Sequence, residues 1–240
     1  MEIKPYDTRA SKKVEVEQMF DNIAGNYDLL NRVLSLGIDT VWRKKAIQTI
    51  TNKSPQYLLD LATGTADFAI EANKQLNIEH VTGIDISHEM LEVGREKLKK
   101  KSLDHKIKLI KGDSENLQLE DNTFDVATVA FGVRNFENLD SGLQEIYRVL
   151  NEGGQLVILE FTKPTSFPFK QLFNAYFKYL LPLIGKLKSK DSNAYQYLYE
   201  SVQAFPDYDR FIGHLQNAGF NKCSYKALSL GICAIYQAYK

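Results

Sequence analysis

Hydrophobic positions along this 240-residue chain change their spacing near residue 57. Before that point, from Lys13 to Ile50, apolar residues recur at helical spacing, with a break near Gly37. After it, short apolar runs alternate with helical stripes. The runs predict five strands, at Tyr57–Ala62, Val81–Ile86, Ile107–Ile110, Phe124–Phe131 and Gln155–Phe161. Helices are predicted between them, notably at Glu89–Lys101 and Leu139–Leu150.

Strands that alternate with helices predict an α/β fold, a doubly wound and mostly parallel sheet that is covered on both faces. Two regions depart from this rhythm. Residues 163–205 are rich in aromatic residues and predict a helical insertion, whereas Lys222–Leu230 and Ile232–Tyr239 predict two strands of an antiparallel edge. We expect a single domain over residues 1–240, with one helical lid over residues 1–50 and a second in the insertion.

Composition and charge exclude several classes of protein. The chain has 30 basic and 30 acidic residues, and a net charge of zero argues against a nucleic-acid-binding surface. Cys223 and Cys233 lack metal or redox spacing, and the four histidines are scattered, so we expect no metal site. The N-terminus lacks the apolar core of a signal peptide. No apolar run approaches the roughly 20 residues that span a bilayer, so we expect a soluble cytoplasmic protein.

Polar residues follow three consecutive predicted strands at the points where the strands end. The first strand leads into a turn at Gly64, the second ends at Asp85, and the third is followed by Asp113 and Ser114. Ligands of α/β sheets bind at the carboxyl ends of the strands. A carboxylate at Asp85 can accept hydrogen bonds from both hydroxyls of a ribose, with Asp113 and Ser114 near an adenine. The arrangement therefore predicts a nucleoside-containing cofactor.

The turn itself distinguishes between cofactors. A nicotinamide dinucleotide favours Gly-x-Gly-x-x-Gly, whereas this turn contains a single glycine and is followed by Asp67. A carboxylate is a poor neighbour for a pyrophosphate but is acceptable beside a sulfonium or an amino group. The pattern favours S-adenosylmethionine. An NAD-dependent oxidoreductase and a non-catalytic cofactor-binding protein remain as alternatives.

Four segments make the resemblance to a known family specific. They are Phe20–Asn31 with Ser35 and Trp42, the Gly64 turn, Ala130–Asn135, and Tyr147–Phe161. In these segments the chain closely resembles the demethylmenaquinone/ubiquinone C-methyltransferase family of class I methyltransferases. The resemblance implies a Rossmann-like, seven-stranded sheet and the methyl donor S-adenosylmethionine.

The resemblance also implies the roles of individual residues. Cofactor contacts fall on Gly64, Thr65, Asp85, Asp113 and Ser114, with Thr65 beside the methionine part. Tyr27 and Asp28 close over the cofactor as part of the N-terminal lid.

The implied reaction adds a methyl group to a ring carbon of a reduced, prenylated quinone, which requires a ring oxygen to be held or ionised. Arg134 and Asn135 are the candidates for holding that oxygen. Asp67 is a candidate base, or a partner of the amino group of the cofactor. The alternative for Arg134 is an ordinary ion-pairing arginine.

The identity of the methyl acceptor depends on overall resemblance. Gly37–Asp39 and Trp42–Lys44 resemble the bacterial menaquinone branch, which implies demethylmenaquinol; the ubiquinone precursor and another small phenol remain alternatives. Lys163–Lys190 contains six lysines and no acidic residue among many apolar ones. This segment is either a helical cover on the core or a lid that admits a polyprenyl tail and meets anionic lipid at the inner face of the cytoplasmic membrane. A homodimer stays open.

Overall fold

A computed structural model describes residues 3–175 and 193–240 of the chain. Seven strands form one sheet in the order β3-β2-β1-β4-β5-β7-β6. The strands are β1 Tyr57–Leu61, β2 His80–Asp85, β3 Ile107–Lys111, β4 Phe124–Ala130, β5 Leu150–Phe161, β6 Asn221–Leu228 and β7 Cys233–Tyr239. Strands β1 to β5 are parallel, and β7 runs antiparallel to both β5 and β6. The predicted doubly wound sheet with an antiparallel edge is confirmed.

Helices precede the sheet, connect its strands and form part of the insertion. In chain order the described helices are α1 Lys12–Ile23, α2 Tyr27–Leu34, α3 Ile38–Gln48, α4 Asp67–Gln75, α5 His88–Lys100, α6 Leu139–Val149, α7 Phe169–Ala175, α8 Asn193–Ala204 and α9 Asp209–Asn217. The predicted break near Gly37 is confirmed, because this residue has a φ of 79° and lies between α2 and α3. Ser87 caps α5 by accepting a hydrogen bond from the amide of Met90.

Apolar residues pack on both faces of the sheet. Leu58 belongs to the cluster under α3, α4 and α5, whereas Leu59 and Leu61 belong to the cluster under α6 and α9. This alternation along β1 is the period-two pattern of a strand that is buried on both sides. The strand order reverses between β1 and its neighbours β2 and β4. In such sheets the crevice at this switch point binds the ligand.

The N-terminal segment lies against the carboxyl ends of the strands, where polar contacts hold it. Glu17 of α1 pairs with Lys111 at the end of β3 at 2.6 Å. Asp21 accepts hydrogen bonds from the hydroxyl of Ser87 at 2.6 Å and from the amide of Glu89 at 3.2 Å, at the start of α5. These contacts place α1 over the crevice. The role of residues 1–50 as a lid stays a prediction.

The predicted insertion contains α7 and α8. Most of the basic and aromatic stretch of Lys163–Lys190 falls in residues 176–192, outside the described residues. Within residues 3–175 and 193–240, none of the helices has the length and apolar character needed to cross a membrane.

Candidate active site

The turn after β1 brings backbone amides to the end of β2. Ala62, Gly64 and Ala66 all have positive φ, between 49° and 65°, so the chain turns sharply before α4. The amide of Gly64 donates to Oδ2 of Asp85 at 2.7 Å. A side chain is absent here, and even a Cβ would reach only the ring of Tyr27, at 4.0 Å. The turn therefore leaves an open backbone surface beside a carboxylate.

Asp85 is a buried carboxylate whose partners are backbone amides. Besides Gly64, the amide of Ser87 donates to its Oδ1 at 2.9 Å. Burial raises the pKa of Asp85 to about 6, although hydrogen bonds from three backbone amides lower it. Each carboxylate oxygen retains acceptor capacity on the side that lines a small pocket.

This small pocket collects most of the residues predicted to bind the cofactor. Its volume is about 70 Å³. The predicted site residues that line it are Tyr27, Gly64, Asp85, Asp113, Ser114 and Asn135. Helix α1 covers it with Lys13, Val16 and Phe20, and Lys13 pairs with Asp113 at 2.5 Å. Asn135 was predicted to hold a ring oxygen of the acceptor, but the structure places it here.

The lining fits a nucleoside cofactor. Asp85 offers two acceptor oxygens to a ribose diol, and Oδ1 of Asn135 is buried without a partner among the described residues. A buried, unpaired acceptor is costly unless a ligand supplies the donor. Ligand pockets usually have volumes of about 300–1,000 Å³, so the small pocket must widen to hold the whole cofactor.

Thr65 and Asp67 do not line this pocket and instead surround Lys97. The Lys97 ammonium lies 2.5 Å from Asp67, 2.7 Å from Asp28 and 2.9 Å from the hydroxyl of Thr65. That hydroxyl donates to Asp28 at 2.6 Å, which ties α2 to the Gly64 turn. The sequence indicated Lys97 only as a cation near the C-terminal end of α5. The roles of Thr65 at the cofactor and of Asp67 as a base stay predictions.

A second, much larger cavity lies next to the small pocket. Its volume is about 810 Å³, and aromatic and aliphatic side chains form most of its walls. They come from the N-terminal helices, from α7 and α8, and from the β6–β7 turn. Phe20, Tyr27 and Phe131 belong to the walls of both spaces. The two spaces therefore meet at these three rings.

Arg134 lines the large cavity from the loop after β4. Its Nη1 donates to Oε1 of Glu160 at 2.8 Å and to the carbonyl of Phe131. Its Nε is buried without a partner among the described residues. Glu160 is completely buried, so the charge of the arginine is held in place inside the protein. Arg134 and Asn135 are neighbours in sequence, yet they line different spaces.

Arg43 is a second guanidinium in the large cavity, and sequence reasoning did not assign it a role in the chemistry. It extends from α3, pairs with Asp39 and lies 5.8 Å from the ring centre of Phe131. Arg134 lies 5.6 Å from the ring centre of Phe161, and the two rings are 4.6 Å apart. The cations thus adjoin one aromatic pair.

Burial raises the pKa of the nearby Tyr27, although its hydrogen bond with Asn31 and the charges of Arg43 and Arg134 lower it. The result is a neutral phenol between two spaces, one polar and one apolar. It can donate a hydrogen bond and is a weak base.

Several solved structures share the fold of this chain. A methyltransferase from Thermotoga maritima matches with a TM-score of 0.68 and 16% identity, over 93% of this chain and 99% of the other. Phosphoethanolamine N-methyltransferase 2 of Haemonchus contortus, in complex with S-adenosylmethionine, matches with a TM-score of 0.61 and 16% identity, over 82% and 52%. At 16% identity these likenesses show that the chain has the fold of S-adenosylmethionine-dependent methyltransferases.

Sequence relatives narrow this class to one family. Residues 8–240 match the ubiE/COQ5 methyltransferase family, and the chain belongs to it. The demethylmenaquinone methyltransferase of Bacteroides fragilis is 51% identical over 99% of this chain and 97% of the relative. That of Porphyromonas gingivalis is 44% identical over 99% and 98%. The predicted family, enzyme class and methyl donor are confirmed.

Proposed function

We propose that this enzyme methylates a ring carbon of demethylmenaquinol and forms menaquinol. The observation that carries the proposal is the junction of the two spaces at Phe20, Tyr27 and Phe131. A methyl group crosses from donor to acceptor only where the two are in contact and aligned. The volume of the large cavity and its apolar walls suit a naphthoquinol ring with a prenyl tail.

The cofactor, when bound, supplies an electrophilic methyl group on a sulfonium. Asp85 would hold the ribose of the cofactor, and Asp113 and Ser114 would hold its adenine. Gly64 and Asn135 would contact the part of the cofactor that lies between the strand ends. Tyr27 and Phe131 line the junction of the two spaces, where the donor and the acceptor would be in direct contact. Their rings also keep water away from the junction.

Arg134 would favour ionisation of a hydroxyl of the acceptor, and the resulting oxyanion would make the ring more electron-rich. A ring hydroxyl with a pKa near 10 costs about 4 kcal/mol to ionise at pH 7. A fixed cation that hydrogen-bonds to the developing oxyanion offsets part of this cost. Glu160 holds the guanidinium through Nη1 but leaves the N–H of Nε available as a donor, because Nε has no partner among the described residues. Arg43 brings a second positive charge to the same ring site.

The names of two relatives support demethylmenaquinol as the acceptor. The relatives with 51% and 44% identity are both named demethylmenaquinone methyltransferase. More distant relatives, such as the one from Geotalea daltonii at 43% identity over 95% of this chain, are named for both ubiquinone and menaquinone biosynthesis. The ubiquinone precursor is therefore the substrate to test against.

The decisive experiment measures methyl transfer from S-adenosylmethionine to demethylmenaquinol, to the ubiquinone precursor and to a simple phenol. We expect demethylmenaquinol to be favoured at least tenfold in kcat/KM. The oxidised quinone, which has no hydroxyl to ionise, serves as the negative control. Preference for the ubiquinone precursor, or transfer only to the simple phenol, would overturn the assignment.

Because the proposed acceptor carries a prenyl tail, we also propose that the enzyme works at the inner face of the cytoplasmic membrane. The sequence leaves a homodimer open, and light scattering of the purified protein tests it directly. A monomer at working concentration would contradict it.

A further inference from the structure

Four exposed apolar side chains cluster at one side of the large cavity. They are Leu36, Ile38, Val41 and Leu230, with exposed fractions of 84%, 42%, 46% and 62%. We call them the mouth patch. Leu36, Ile38 and Leu230 also line the cavity, and Val41 follows Ile38 by one helical turn on α3. The apolar surface outside the protein is therefore continuous with the apolar walls inside it.

The backbone holds two of these leucines in an unfavourable conformation. Leu36 and Leu230 have φ of 51° and 60°, in the left-handed region that suits glycine far better than a branched side chain. Both side chains point into solvent instead of the core. Strained residues of this kind persist where the surrounding structure enforces them, and they concentrate at functional sites.

The mouth patch is built on fixed backbone. The amide of Gly37 donates to the carbonyl of Arg32 at 2.9 Å and to the hydroxyl of Ser35 at 3.2 Å, which closes the α2–α3 loop. Trp42 of α3 donates to the hydroxyl of Ser229 at 2.8 Å and so joins the loop to the β6–β7 turn. Leu36 and Leu230 are thus presented together.

Exposed cations flank the mouth patch along the chain. They are Lys44, Lys45 and Arg32, whose Nε lies 4.0 Å from Asp39. Between residues 29 and 45 the only acidic residue is Asp39, which is buried and paired with Arg43. An apolar surface flanked by cations is the combination that inserts into the boundary of an anionic bilayer.

We infer that the mouth patch docks the enzyme on an anionic lipid bilayer, with the opening of the large cavity facing the lipid. This inference rests on the proposed function, because a prenylated quinol resides in the bilayer and must enter the cavity without crossing water. The docking surface is the α2–α3 loop with the β6–β7 turn. It differs from the lysine-rich residues 163–190, for which the sequence left open a helical cover or a contact with lipid.

The test is flotation of the full-length protein with vesicles that contain phosphatidylglycerol but no quinone. We expect Leu36→Asp to lower vesicle binding at least tenfold and Val41→Asp at least threefold. Val14→Asp is the matched control. Val14 is 52% exposed on α1, next to Lys13 at the β3 end of the sheet. We expect binding by Val14→Asp to stay within twofold of that of the wild type.

Two further measurements distinguish a loss of docking from a loss of folding or of catalytic activity. Binding of S-adenosylmethionine by Leu36→Asp should match the wild type, because Leu36 does not line the small pocket. Val41→Asp, which lines neither space, should methylate water-soluble 1,4-naphthoquinol at the wild-type rate. Failure of the wild type to methylate any quinol would overturn the proposed function, whereas equal vesicle binding by all four proteins would overturn the docking surface.

Light scattering distinguishes a second copy of the chain from a bilayer. If Leu36→Asp dissociates a dimer and leaves vesicle binding unchanged, the mouth patch is an interface between copies and the inference is wrong. Vesicle binding that persists without phosphatidylglycerol would show that the flanking cations do not contribute to docking.

Discussion

At the scale of single residues, the buried carboxylate of Asp85 is the group proposed to bind the ribose of the cofactor. Replacing it with Asn keeps the shape but removes the charge. Hydrogen bonds to a charged group contribute about 1.5–3 kcal/mol each, so losing the charge should weaken cofactor binding roughly 10- to 100-fold. Isothermal titration calorimetry with Asp85→Asn measures this, and Asp104→Asn, at an exposed site, is the control. Unchanged affinity in Asp85→Asn would refute the assignment.

The raised pKa of Asp85 also predicts how cofactor affinity depends on pH. The carboxylate is ionised above its pKa of about 6 and protonated below it. A protonated carboxyl group cannot accept from both ribose hydroxyls, so affinity should be constant above pH 7 and fall as the pH drops through 6. The affinity of Asp85→Asn should not change with pH in this window. Titrations between pH 5 and 8 compare the two proteins.

Arg134 is tested best by a substitution that keeps its charge. Removing the charge would leave the fully buried Glu160 without its counterion and destabilise the fold. Arg134→Lys retains a cation but loses the planar set of donors. We expect kcat to fall at least tenfold while the dissociation constant of the cofactor stays within twofold. Arg148→Lys, at a partly exposed ion pair with Glu145, should leave kcat unchanged.

At the scale of elements, the loop after β4 must pass very close to the turn after β1. A Cβ at Gly132 would lie 2.4 Å from the Cβ of Ala62, a contact that neither backbone can relieve easily. Gly132→Ala should therefore destabilise the protein by about 1–3 kcal/mol. Gly213→Ala is the control: it lies in α9 with nothing within 4 Å, and alanine there should stabilise by about 0.5–1 kcal/mol. Thermal or urea denaturation of both variants checks the two signs.

The sequence predicted the positions of elements well and one boundary poorly. The fifth strand was predicted to begin at Gln155, after the two glycines of residues 151–154, whereas β5 already begins at Leu150 and pairs with Phe124. A register shift between Phe124 and Val126 accommodates this early start. Pairing with a neighbouring strand determines this boundary, and local propensity does not contain that information.

At the scale of the whole molecule, helix α1 covers the small pocket, and the lid predicted for residues 1–50 would control access to it. Glu17 and Asp21 hold α1 to β3 and α5 without lining the pocket. The ion pair of Glu17 and the hydrogen bonds to Asp21 contribute at least about 0.5 kcal/mol each, so losing both contacts should raise the dissociation rate of the cofactor at least roughly fivefold. Stopped-flow displacement with Glu17→Gln/Asp21→Asn measures this rate. Glu96→Gln, from an exposed pair with Lys100, should not change it.

Sequence reasoning found the strand-end residues of the site because their order along the chain follows the order of the parallel strands. It could not find the partners of Lys97 and Arg43, which come from α2, α3 and α4 and depend on how these helices pack. Nor could it show that Arg134 and Asn135 line different spaces. The direction of a side chain in a short loop is set by tertiary contacts.

The positions of Arg134 and Asn135 limit how far the donor site and the acceptor site can move apart. Consecutive Cα atoms are 3.8 Å apart, a distance fixed by covalent geometry. The residue proposed at the acceptor and the residue proposed at the donor are thus joined by one peptide bond. Motion of the lid predicted for residues 1–50 would change how often the two substrates meet, but it could not change the distance between these two Cα atoms. A mobile cover would then be compatible with a fixed backbone distance between the donor site and the acceptor site.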